Sequence, residues 1–175
     1  MIQELMRTRK IIVFFIVMLT SWAGNAIQQD AMSADLKETA LRDSACTKPA
    51  DAQTADVPTL SAMPIHAGSR ELGTIVKVEG ACHCQGSNCD MLVYLRAGDQ
   101  YRLAVHEKYA SLHPMKIVKH GMPSLTGEFE TGAQKMETTV YDWDGKQYRP
   151  SLCATVVKGG RLPKITQHAC KAQPQ

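Results

Sequence analysis

The sequence predicts an α+β fold made mainly of antiparallel β-sheet, with hairpins, a short N-terminal helix and disulfide bracing. Three observations carry that expectation. From Leu72 onward, short runs of alternating apolar and polar residues are separated by turn dipeptides. One helical period stands alone near Ser33. Six cysteines occur in a chain of 175 residues that opens on an export-type segment.

That segment places Arg7, Arg9 and Lys10 before the apolar run Ile11 to Leu19, followed by Ala23-Gly24-Asn25-Ala26. A basic start, a short apolar stretch and small residues define a secretory signal peptide, here residues 1–26. The run is shorter than the roughly 20 residues a membrane helix needs. The expectation is a periplasmic or secreted protein with no membrane anchor after signal cleavage. Removing the signal takes away three basic residues and Glu4, leaving 17 basic against 16 acidic side chains. Charge is unevenly placed, since Lys146, Arg149, Lys158, Arg161, Lys164 and Lys171 follow one another with no acid between them. Lysines on an edge strand oppose edge-to-edge pairing. Aromatic residues do not interleave this stretch as a single-strand binder requires, so nucleic acid is not an expected partner.

Taking the elements in order, Ser33 caps a helix through Arg42 with Met32, Leu36 and Ala40 on one side. Cys46 to Pro64, rich in Ala, Thr, Asp and Pro, reads as an extended arm, so residues 27–64 form a helix plus arm and 65–175 a single antiparallel-sheet domain. Leu72, Thr74, Val76 and Val78 share one strand face, with Ile75, Lys77 and Glu79 on the other. Met91 to Arg96 and Tyr101 to His106 make a hairpin around Ala97-Gly98-Asp99-Gln100. Glu107 to His113 reads as a helical turn ended by Pro114. Ser124 to Glu130 and Lys135 to Trp143 form a second hairpin, and Asp144-Gly145 turns the chain into Gln147 to Leu152. A last segment turns at Gly159-Gly160 and ends near Cys170.

Sequence leaves many cysteine pairings open, and geometry narrows them. Cys82 and Cys84 point the same way along a strand, which strains a bond between them. Cys84 and Cys89 span a glycine-containing turn that brings their α-carbons together. Cys153 with Cys170 closes the C-terminal segment, leaving Cys46 with Cys82 to tether the arm.

A second chemistry is a copper or zinc site using Cys82, His83, Cys84 and Cys89. Its spacing is unlike the separated ligand pairs of structural zinc. His106, His113 and His120 recur every seven residues, but Pro114, Gly121 and Pro123 interrupt any helix that would align them. His120 near Ser124 suggests a base beside a hydroxyl, without a third group to orient them. Asp142 and Asp144 flank Trp143, and Asp144 before Gly145 is explained by turn chemistry. No cofactor and no catalytic residue is expected.

The run Val78-Glu79-Gly80-Ala81-Cys82-His83-Cys84-Gln85-Gly86-Ser87-Asn88-Cys89-Asp90-Met91-Leu92-Val93-Tyr94 resembles the signature region of the inhibitor-of-vertebrate-lysozyme family. The resemblance implies a periplasmic protein presenting a disulfide-closed Cys-x-x-x-x-Cys loop between strands. In that family a loop histidine enters the lysozyme cleft, whereas here Gln85, Gly86, Ser87 and Asn88 fill the loop and His83 lies just outside it. Val140 to Tyr148 is similar to a hairpin of small secreted bacterial proteins. The sequence therefore leads to a non-enzymatic binding protein of inhibitor or immunity type. Its expected partner is a protein, a cell-wall hydrolase such as a lysozyme or another exported toxin. Its expected binding loop comprises His83, Gln85, Gly86, Ser87 and Asn88.

Overall fold

The computed structural model describes residues 32–44, 57–159 and 162–170, all within one compact unit, Met32–Gln175. The expected signal peptide and Cys46 lie outside the described residues. Helix α1 spans Ala34–Asp43, and the side chain of Ser33 accepts a hydrogen bond from the Leu36 N–H at 3.2 Å. Asp35 in the first turn and Arg42 in the last complement the helix dipole. The Ser44 hydroxyl closes the C-terminal end by donating to the Ala40 carbonyl at 2.6 Å.

The described strands form two five-stranded antiparallel sheets. The first contains β1 (Thr59–Ala67), β2 (Arg70–Glu79), β3 (Cys84–Gln85), β4 (Asn88–Ala97) and β5 (Gln100–Tyr109). At Cys89, β4 is flanked by Cys84 of β3 on one side and Tyr109 of β5 on the other. The second sheet is a meander of β6 (Ser111–Lys119), β7 (Met122–Gly132), β8 (Lys135–Trp143), β9 (Tyr148–Val157) and β10 (Lys164–His168).

Strand alternation sends β2 and β4 side chains into two separate cores. Ile75, Met91, Val93 and Leu95 face Leu112, Leu125, Tyr141 and Tyr148 of the second sheet. Val76, Val78, Leu92 and Tyr94 instead meet Leu36 and Ala40 of α1. Burying Leu36 there contributes about 2 kcal/mol. The Tyr94 hydroxyl donates to Asp43 at 3.0 Å, fixing the end of the helix, and burial together with that carboxylate raises the phenol's pKa. The layers are thus helix, sheet, sheet, mostly antiparallel β with one short helix among the described residues.

Two sequence expectations change. Residues 59–64, read as arm, belong to β1 and pair with β2 through Thr59↔Glu79 to Pro64↔Thr74. Glu107 to His113 is not a helical turn: β5 runs to Tyr109, the chain crosses at Ala110, and β6 begins at Ser111. Tyr109 and Leu112 are both buried in the intersheet core, which fixes this crossing against any local helical preference. Pro114 is accommodated because β6 is an edge strand, and its register with β7 shifts between Pro114 and Val118. No helix among the described residues is long and apolar enough to cross a membrane.

Candidate functional site

The cysteine cluster forms a tight hairpin at the start of β4. The Gly80 carbonyl accepts from the N–H groups of His83 (3.0 Å) and Cys84 (3.1 Å), turning the chain out of β2. Cys84 then opposes Cys89, and Gln85 opposes Asn88, so Gly86-Ser87 is a two-residue turn. Gly86 has φ +64° while Ser87 stays in the ordinary negative region. Glycine at the first central position is the type II′ pattern whose twist matches flanking strands. The expected Cys84–Cys89 disulfide closes the base of this hairpin, with α-carbons 3.9 Å apart.

A second constraint comes from the other sheet. Asn88 is 3% exposed, and its amide mimics a strand's backbone. The Asn88 Nδ2 donates to the Glu130 carbonyl at 2.8 Å, while Oδ1 accepts from the Glu130 N–H at 2.7 Å. Ser87 Oγ also donates to the Glu130 carboxylate, at 2.5 Å. β7 therefore holds the hairpin from one side while the disulfide holds it from within.

His83 does not extend from the loop. It is 7% exposed, and its Nδ1 lies 3.0 Å from Asp90 Oδ2. Lys108 on β5 donates to Asp90 Oδ1 at 2.9 Å and to the His83 carbonyl at 2.6 Å. His106 Nε2 lies 3.6 Å from the same carboxylate. Burying Asp90 is costly unless its oxygens are paired, and His83 and Lys108 supply those partners. Thus two members of the expected loop, His83 and Asn88, are internal supports, while Gln85, Gly86 and Ser87 remain exposed. Sequence reasoning missed Asp90, Lys108 and Glu130. Asp90 and Lys108 are directly cross-strand, but that register is visible only once β4 and β5 are aligned.

The copper or zinc reading loses its ligands. Cys84 and Cys89 are bonded to each other, Cys82 is itself disulfide-bonded, and His83 faces Asp90. Among the described residues no three His, Cys, Asp or Glu side chains converge as a metal site. Cys153 and Cys170 form the expected second bridge, with α-carbons 5.1 Å apart, while the expected partner of Cys82 lies outside the described residues. Nor do His120 and Ser124 form a base and nucleophile. Ser124 is fully buried and its hydroxyl donates to Asp142 at 2.6 Å. Burial alone raises the Asp142 carboxyl, but hydrogen bonds from Lys119, Ser124 and Ser151 outweigh it and hold the pKa below the usual range. This group reads as a structural strap joining β6, β7, β8 and β9.

No family model, curated protein or solved structure matches the chain.

Proposed function

We propose that this is an exported, non-enzymatic binding protein of inhibitor or immunity type, which inserts the hairpin tip Gln85-Gly86-Ser87 into a partner protein's polar cleft. One observation carries the reading: the exposed tip is set in advance by the Cys84–Cys89 bridge, a type II′ turn and the Asn88–Glu130 amide clamp. A loop ordered before association does not lose that freedom on binding, which favours affinity. Gln85 supplies neutral donors and an acceptor, and Ser87 Oγ, its proton held by Glu130, a further acceptor, suited to a cleft that binds glycans. Disulfides accord with an oxidising compartment. The resemblance to lysozyme inhibitors agrees with this reading, with the tip rather than His83 as the contact.

The test is inhibition of cell-wall lysis by a panel of vertebrate c-type and g-type lysozymes and exported bacterial wall hydrolases. At least one is expected to be inhibited, and reversing the tip's chemistry with Gln85→Glu plus Ser87→Glu to weaken inhibition by about tenfold or more. Asn88→Ala, which alters no exposed contact, is expected to weaken it several-fold by loosening the tip. Equal inhibition by the wild type and the tip variant would sink the proposal, as would a panel with no inhibited member.

A further inference from the structure

A second concave feature lies at the opposite end of β4 from the hairpin tip. The β1–β2 and β4–β5 turns of the first sheet and the β6–β7 turn of the second surround a cleft of about 700 Å³. This is the size range of pockets that enclose metabolite-sized ligands. Three arginines line it, Arg70, Arg96 and Arg102, against a single carboxylate, Glu71. Neither Arg70 nor Arg96 has an ion pair or side-chain hydrogen bond among the described residues. Arg102 is held in place, its Nη2 donating to the Lys146 carbonyl at 3.1 Å and its guanidinium lying 5.9 Å from the centre of the Trp143 ring. Trp143 is braced in turn, its ring edge-to-face with Tyr148 at 5.2 Å, and the Tyr148 hydroxyl donates to the Pro123 carbonyl at 2.9 Å.

The arrangement combines a rigid aromatic wall with guanidinium groups that have unused donors. Like charges gathered in a concave, partly apolar site repel one another and concentrate a positive field there. Guanidinium forks match the geometry of oxyanions and bind them in bidentate fashion. The indole and Met122 offer an apolar surface to the rest of such a ligand.

We infer that this cleft binds the phosphate group of a small phosphorylated ligand, with Arg70 and Arg96 as its direct contacts and Arg102 fixed against Trp143 as the wall. The phosphate can belong to a soluble molecule or to a lipid headgroup. The site is separate from the hairpin tip, so it stands or falls independently of the inhibitor reading.

Calorimetric titration of the protein with inorganic pyrophosphate, and co-sedimentation with phosphatidylcholine vesicles with and without phosphatidylglycerol, test it. Saturable pyrophosphate binding is expected, weakened about tenfold or more by Arg70→Ala plus Arg96→Ala. Binding only to the phosphatidylglycerol vesicles, with the same dependence on both arginines, would assign the phosphate to a lipid headgroup. The double variant Lys158→Ala plus Lys164→Ala removes equal charge from the residue just past β9 and from β10 and is expected to bind like wild type. The inference is overturned if neither probe binds, if the arginine variant binds unchanged, or if the lysine variant is weakened as much.

Discussion

Asp144 shows how a single exposed side chain ties local chemistry to stability. Its Oδ1 accepts from the backbone N–H of Gln147 at 2.9 Å and of Lys146 at 2.8 Å, and Arg149 donates to Oδ2 at 2.6 Å. These bonds, that from Gln147 foremost, lower its pKa from 3.8 to about 2. A carboxyl depressed on folding contributes stability that is fully present above its unfolded pKa and lost as pH falls through the folded one. Asp144→Asn is therefore expected to lower the melting temperature above about pH 4, with the gap to wild type closing as pH falls toward about 2. Melting curves across that range check this, and a gap independent of pH would refute it. At this scale the sequence was partly legible. Asp144-Gly145 is a local turn signal, whereas the strap at Asp142 joins Lys119, Ser124 and Ser151 from three other strands, and no local pattern announces it.

The strands themselves were legible wherever alternation and turn dipeptides agreed, as in the hairpin around Ala97-Gly98 and the three-strand run from Ser124 to Leu152. They were illegible where tertiary contact overrides local preference, as at Ala110. Gly73 illustrates the remaining gap, because its role depends on what crosses it. It pairs with Ile65 of β1 and Leu95 of β4, next to the β1 register shift between Ile65 and His66. A β-carbon at this position would lie 2.2 Å from the Tyr94 carbonyl oxygen, a backbone atom that cannot swing aside. Gly73→Ala is accordingly expected to destabilise the fold by about 2–3 kcal/mol, from the cost of overpacking a central strand. Gly132→Ala, with nothing within 4 Å of the new carbon, is expected to lie near wild type. Urea unfolding midpoints of the two variants decide it, and equal midpoints would contradict the account.

For the whole molecule, the two described bridges act on different spans. Cys84–Cys89 closes a sequence separation of 5 and Cys153–Cys170 one of 17. By chain entropy the longer loop contributes about 3 kcal/mol and the shorter about 2. Cys153→Ala plus Cys170→Ala is expected to lower unfolding free energy by about 3 kcal/mol in guanidinium titrations. A loss well under 1 kcal/mol would mean that the β9–β10 ladder holds the C-terminal strand unaided. Both pairings could be read from spacing, since each joins residues brought together by a short reversal. The stacking of one sheet on the other could not, because contacts such as Asn88 with Glu130 link residues 42 apart with no sequence mark of their own.

The meander has a kinetic corollary. Apart from the crossing at Ala110, nearly every strand is hydrogen-bonded to one that lies beside it in the chain. Low separation between contacting residues favours rapid structure formation for a mainly strand architecture. The first sheet draws all its strands from residues 59–109, so it can close, with its Cys84–Cys89 bond, before the second has formed. Of the two described bridges, Cys153–Cys170 needs β9 and the segment that follows it, so in a time-resolved thiol-trapping experiment it is expected to appear after Cys84–Cys89.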